Sequence, residues 1–178
     1  IVQCAGGFHI YAPDYLAAAR ALTTQYNILL IADEVATGFG RTGKTFACEH
    51  AAITPDVMVL GKALTAGYVG HAATLATTEV YNAFLGESYE TALMHGPTFM
   101  GNALACTIAL QGIALFEQDN YLDKINKING YITAELQKIH SKHITAVRQI
   151  GALVALEFSS AKDLEGFAQF AYQKGAWL

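Results

Sequence analysis

The sequence predicts an α/β fold built on an open sheet with parallel strands, and three features predict it. Leu29-Leu30-Ile31-Ala32 is an apolar run that ends abruptly in Asp33-Glu34. A buried strand that delivers a carboxylate at its C-terminal end belongs to an open α/β sheet. A second run, Val57-Met58-Val59-Leu60, ends in Gly61-Lys62. The third feature is the order of the first segments. Apolar Ile1–Cys4, a helical pattern over residues 14–26 and the run to Asp33 make a strand–helix–strand unit of parallel type.

Each element has its own signal. Ala5-Gly6-Gly7 breaks the first strand, and Pro13-Asp14 suits a helix start. Tyr15, Leu16, Ala19, Leu22 and Tyr26 fall at helical spacing, and Asn27 ends that helix before a strand at 28–33. Thr37 to Lys44 holds three glycines in six residues, an irregular loop. Phe46–His50 reads as further loop or a short helix. Pro55-Asp56 introduces a strand at 57–60, and the small residues from Ala63 to Gly70 lead to another at 71–77. Glu79–Phe84 is a short helix. His95 to Asn102 is a loop with Gly96-Pro97 at its centre and Thr98 beside it.

A long apolar helix is expected from Ala103 to about Glu117, and a second starts at Asp119. Leu122, Ile125, Ile128, Ile132, Leu136 and Ile139 recur at three and four, so one face is expected to be buried to about residue 140. Strands around Gly151 fill 144–158. Ser159 or Ser160 would cap a last helix with Leu164, Phe167 and Ala171 inward and Gly175 closing it. The change of pattern near 117–120 divides the chain into residues 1–118 and 119–178. There is no internal repeat or low-complexity tract.

Composition narrows the classes. Of 178 residues 53% are apolar and 15% charged, which supports a large core and excludes disorder. A net charge of −4 and a pI near 5.8 give no nucleic-acid surface. Cys4, Cys48 and Cys106 are odd in number and far apart, without metal or disulfide spacing, so a reducing, cytoplasmic compartment is expected. The apolar stretch 103–116 is too short for a membrane span, and no signal peptide is expected. Ile1-Val2-Gln3 opens in mid-strand and Ala176-Trp177-Leu178 stops as a new strand begins. The chain is therefore expected to be a piece of a larger protein.

Taken singly, Asp33-Glu34 reads more readily as a solvated helix cap, and Lys62 as surface charge, since lysine is mostly exposed. The pair in this order suggests a pyridoxal phosphate (PLP) site, with the lysine bonding the cofactor and the aspartate facing its pyridinium nitrogen. The glycine loop at 38–44 could cradle a phosphate. It departs from the Walker pattern, because Thr45 would have to open a helix straight after a buried strand. Arg41 within it reads as a structural ion-pair partner.

Three words together resemble the fold-type I PLP enzymes, and within them the class III aminotransferases. They are Ala32-Asp33-Glu34-Val35, Thr37-Gly38-Phe39-Gly40-Arg41-Thr42-Gly43-Lys44, and Leu60-Gly61-Lys62-Ala63-Leu64. Ala36, Phe46-Ala47-Cys48-Glu49-His50 and Met94 through Asn102 match one branch of that family along nearly the whole chain. Ala103, where that branch usually has proline, and Ala66, where a second glycine is usual, depart from it.

The resemblance implies part of a large PLP-binding domain, with a mixed, mostly parallel sheet, over 1–118 and part of an α+β small domain over 119–178. It implies that Lys62 is bonded to the cofactor and later moves the substrate proton. It implies that Asp33 holds the pyridine nitrogen protonated, and that Val35 also contacts the cofactor. Pro97 and Thr98 would reach the phosphate in the neighbouring subunit of a homodimer, with Gly96 beside the substrate. The implied reaction moves an amino group from S-adenosylmethionine to 8-amino-7-oxononanoate, giving 7,8-diaminononanoate for biotin synthesis. Ornithine, 4-aminobutyrate or a diamine as donor, or a non-catalytic domain of the same fold, stand as alternatives. A glycine-serine phosphate loop, a ring-stacking tyrosine and a carboxylate-binding arginine of the family have no counterpart in these residues. The 178 residues alone are therefore expected to be inactive.

Overall fold

The computed structural model describes residues 1–177. Four strands form one sheet in the order β1 (Val2–Gln3), β2 (Ile31–Asp33), β3 (Val57–Leu60) and β4 (Ala73–Ala76). β1, β2 and β3 run parallel, and β4 returns antiparallel to β3. The sheet is thus mixed and mostly parallel, as the resemblance implies. The pairing sets Gln3 beside Asp33 and Asp33 beside Val59. All three parallel strands therefore open onto one edge.

Helix α1 (Pro13–Gln25) connects β1 to β2, with Pro13 at its first turn, where the missing N–H costs nothing. β2 starts three residues later than the strand expected at 28–33. Asp56 explains this: its Oδ2 accepts the Leu30 N–H at 2.6 Å and the Arg20 guanidinium at 2.7 Å. A side chain takes the place of a ladder partner at Leu30, and one carboxylate ties α1, the approach to β2 and the start of β3. Those bonds, the Leu30 N–H first and then Arg20, hold the Asp56 carboxyl below its ordinary range.

After β4 come α2 (Thr78–Asn82), α3 (Ala103–Gln118) and α4 (Tyr121–Leu136). The Asn102 side chain caps α3 by accepting the Ala105 N–H at 3.0 Å. Residues Met58 and Leu60, alternate on β3, face the same way and pack with Leu64, Ala73, Ala109 and Ile113. This small core sits between the sheet and α3. β5 (Ile144–Ile150) and β6 (Leu153–Phe158) form a separate antiparallel hairpin, and α5 (Phe167–Gln173) follows.

Two expectations need correction. The α4 stripe is not a buried face: no residue of α4 is buried, Ile128 and Ile139 are exposed, and the helix ends at Leu136. The periodicity is amphipathic, but little of the described chain packs on it. The last helix is broken into a 3₁₀ turn, Ala161–Leu164, and α5, because Gly166 adopts φ +75° between them. Ser160 caps the turn, and only Ala171 of the three inward residues is buried. Ala176 and Trp177 lie outside any strand, and Leu178 lies outside the described residues. Among the described residues no helix is long and apolar enough to cross a membrane.

The Asp56 knot makes a testable point. Because its folded pKa is depressed, its stabilisation is present above the unfolded carboxylate pKa and is lost as pH falls through the folded value. Asp56→Asn is expected to lower unfolding free energy at pH 7 by about 2 kcal/mol, with the gap to the parent closing below about pH 4. Urea unfolding at several pH values checks this, and a gap that does not change between pH 7 and pH 3 would contradict it.

Candidate active site

The two acids at the end of β2 have divided roles. Glu34 is 2% exposed. Its carboxyl group accepts the Ala47 N–H at 3.0 Å, the Cys48 N–H at 2.9 Å and the Thr37 hydroxyl. Its carbonyl accepts the Gly38 N–H at 2.8 Å. Glu34 thereby folds the glycine loop back onto the strand end and holds the 3₁₀ turn Ala47–Ala51. Burial, and then Glu34, push the Cys48 thiol up to about 12. Asp33, by contrast, makes one hydrogen bond among the described residues, from the Val35 N–H to Oδ1 at 3.1 Å. Its remaining acceptor capacity is uncommitted.

Lys62 follows Gly61 at the end of β3, three positions beyond Val59, the residue paired with Asp33. It opens a 3₁₀ turn, Lys62–Thr65, with its own φ at +46°. A side-chain-bearing residue in that region is uncommon and marks a constrained backbone. Val35 closes the gap between the two strand ends. A Cβ on Gly61 would stand 3.4 and 3.5 Å from the Val35 methyls, so the valine lies directly against the glycine backbone. Helix α3 backs the Lys62 turn from the other side, with Gly112 bringing it close to the Leu64 carbonyl.

The Lys62 side chain is exposed and lines a cavity of about 540 Å³ with Phe39, Arg41, Ala66, Phe116 and Tyr121. Asp33 lines a separate, small cavity of about 50 Å³ with Gln3, Cys4 and Tyr11. The two groups share a sheet edge but not one enclosed cavity. Gly96, Pro97 and Thr98 lie on an exposed loop and line neither cavity. Met100 N–H bonds back to the Pro97 carbonyl at 2.9 Å.

Arg41 is not the ion-pair partner the sequence suggested. Among the described residues its guanidinium has no carboxylate in salt-bridge range, and it instead lines the Lys62 cavity. A guanidinium there gives the cavity a positive wall. Tyr121, on α4 and stacked on Phe116 at 6.0 Å, reaches the same cavity. Nothing in its local sequence signals that role. Glu34 is the other residue that sequence reasoning left without a task, and only its burial identifies it.

The edge offers an amine at Lys62, a carboxylate with spare acceptor capacity at Asp33 and a branched apolar side chain, Val35, against Gly61; these are the group types that a pyridinium aldehyde takes, here lining two different cavities. The fold and this edge thus define an α/β domain that presents lysine and aspartate from adjacent parallel strands. The sequence profile described as "Aminotransferase class-III" matches residues 1–178. The chain belongs to the class III aminotransferase family.

Its relatives are consistent with that placement. The chain is 44% identical over 173 residues to the adenosylmethionine-8-amino-7-oxononanoate aminotransferase of Aquifex aeolicus, covering 96% of this chain and 38% of the relative. The crystal structure of the enzyme of that name from Methanocaldococcus jannaschii is 35% identical, with a TM-score of 0.82 over 96% of this chain and 43% of that one. An amine transaminase from an uncultivated Pseudomonas species, in its PLP-bound form, gives 0.90 at 30% identity, over 99% of this chain and 43% of that one. The chain spans about two-fifths of the length of the curated relatives it matches.

Glu34→Gln removes a charge but keeps the shape. It is expected to cost about 1–3 kcal/mol, because buried N–H groups lose an acceptor. The Cys48 thiol should then titrate below about 12 yet stay above an ordinary thiol, since burial remains. The pH dependence of Cys48 alkylation measures this, and an unchanged titration would show that Glu34 does not act on the thiol.

Proposed function

We propose that this chain carries the PLP-bonding lysine, Lys62, and the pyridine-nitrogen partner, Asp33, of an aminotransferase. The observation that carries the reading is the β2–β3 pairing, which puts Asp33 beside Val59 and Lys62 three residues on. PLP, when bound, supplies an electron sink for the bond-breaking at the substrate carbon. Lys62 would hold it through its aldehyde. Its Nζ would also be the group that moves the proton at the substrate Cα. Asp33 would keep the proton on the ring nitrogen, and Val35 would pack against the ring beside Gly61.

The substrates proposed are S-adenosylmethionine as amino donor and 8-amino-7-oxononanoate as acceptor, with 7,8-diaminononanoate as product. The shared name of the relatives supports this pair. Activity is proposed for the intact protein, the 178 residues alone being inactive, and its compartment is proposed to be the cytoplasm, in keeping with three free thiols. The unit boundary proposed at 118/119 agrees with Asn120 in the left-handed region between α3 and α4 and with the separate hairpin sheet.

A homodimer is proposed, in which Pro97 and Thr98 serve the neighbour's phosphate and Gly96 its substrate. The loop around them exposes Tyr89, Met94, Phe99 and Met100. An apolar patch of that kind favours a protein partner, and a second copy is self-complementary about a two-fold axis.

Borohydride reduction of the intact protein with PLP, followed by peptide mass mapping, should place a pyridoxyl group on Lys62 and lose it in Lys62→Ala. An adduct on another lysine would overturn the assignment. Asp33→Asn should lower kcat for transamination by about 10²–10³, the scale for removing one preorganised electrostatic group.

A further inference from the structure

The Asp33 end of the sheet is gripped from outside by the hairpin. Arg148, in the middle of β5, projects its guanidinium onto the loop that leaves β1, 140 residues away in sequence. Its Nε donates to the Phe8 carbonyl at 3.2 Å and its Nη2 to the Gly7 carbonyl at 3.4 Å. Its Nη1 is held by the Glu157 carboxylate of β6 at 2.5 Å. Gly7 and Phe8 both adopt positive φ, +67° and +49°. Gly7 adopts that region freely, whereas for Phe8 it is costly. The guanidinium fork meets the two consecutive carbonyls of this turn at once.

This loop matters to the site. Gln3, paired with Asp33, folds the loop's start by accepting the Ala5 N–H at 2.5 Å and the Gly6 N–H at 3.2 Å. The Tyr11 hydroxyl donates to the Gln3 carbonyl at 3.0 Å. Gln3, Cys4 and Tyr11 wall the small cavity that Asp33 lines. The same hairpin also holds the loop on the other side of Asp33. Ala152 N–H donates to the Arg41 carbonyl at 3.0 Å. Gly151 sits so close that a Cβ would fall 2.3 Å from the Thr42 carbonyl carbon. One hairpin therefore braces both loops that flank the strand end bearing Asp33.

We infer that Arg148 is a positioning residue that, braced by Glu157, fixes the Cys4–Ala12 loop as the wall beside Asp33. Its bearing on the cofactor rests on the proposed role of Asp33; the placement of the loop does not.

Cys4 sits at the loop's start and Cys48 is buried behind Glu34, so alkylation of the two thiols separates local from global opening. In the intact protein, Arg148→Ala should label Cys4 about tenfold faster with Cys48 unchanged, the scale of losing one charge-assisted hydrogen bond. Arg148→Lys, which can reach one carbonyl, should fall between that variant and the parent. Val154→Ala, on the same hairpin, should match the parent. The apparent PLP affinity should weaken in the same order. Equal acceleration at Cys4 and Cys48, no change at Cys4, or a loosened loop with unaltered PLP affinity would each overturn the inference. If the parent protein binds no PLP, the proposed function fails, while the thiol rates still decide whether Arg148 fixes the loop.

Discussion

A buried carboxyl group without a cation governs the shape of this molecule's working edge. Glu34 has no salt bridge among the described residues and is held by two backbone N–H groups and a hydroxyl. Burying such a group is costly unless its hydrogen bonds are made, so the bonds dictate where the chain must go. The glycine loop turns back over the strand end, and the 3₁₀ turn at 47–51 points its first N–H groups inward. Phe39 then lies edge-on to Phe46 and Phe116, and Arg41 enters the Lys62 cavity. Adjacent acids thus serve opposite ends. Glu34 is committed to three hydrogen bonds, whereas the Asp33 carboxylate, one residue earlier at the end of β2, accepts only the Val35 N–H among the described residues.

The second constraint is close backbone approach. Val35 rests on Gly61, α3 approaches Leu64 through Gly112, and the β5–β6 turn enters the Arg41–Gly43 backbone at Gly151. These contacts converge on the turn that begins at Lys62 and on the loop that follows Asp33. They also connect the hairpin, which has its own sheet, to the edge of the larger one. The strand ends at this edge are thus contacted from beyond their own strands, by these glycine approaches and by the Arg148 bonds to Gly7 and Phe8.

Much of this was legible in the sequence, and the reasons differ by element. The strand ends at Asp33 and Lys62 were legible because, in an α/β pattern, an apolar run that stops in a charge marks where a buried strand reaches the sheet edge. The hairpin around Gly151 was legible from its turn. The division of labour between Asp33 and Glu34 was not, because two neighbouring acids look alike until burial separates them. The α4 stripe misled because periodicity reports which face is apolar and not whether anything covers it. The break at Gly166 was hidden inside a run with adequate helical spacing. Arg41 was misassigned because a charge in a glycine loop carries no sign of its partner. Tyr121 and Arg148 act through contacts distant in sequence, which local pattern cannot encode.

The central claim is that the β2–β3 pairing makes Asp33 and Lys62 one cofactor site. A crystal structure of the intact protein with PLP tests it most directly. Unbroken density from Lys62 Nζ to the cofactor is expected, with the Asp33 carboxylate within about 3 Å of the ring nitrogen. Density joined to another lysine, or a ring nitrogen facing a group other than Asp33, would contradict it.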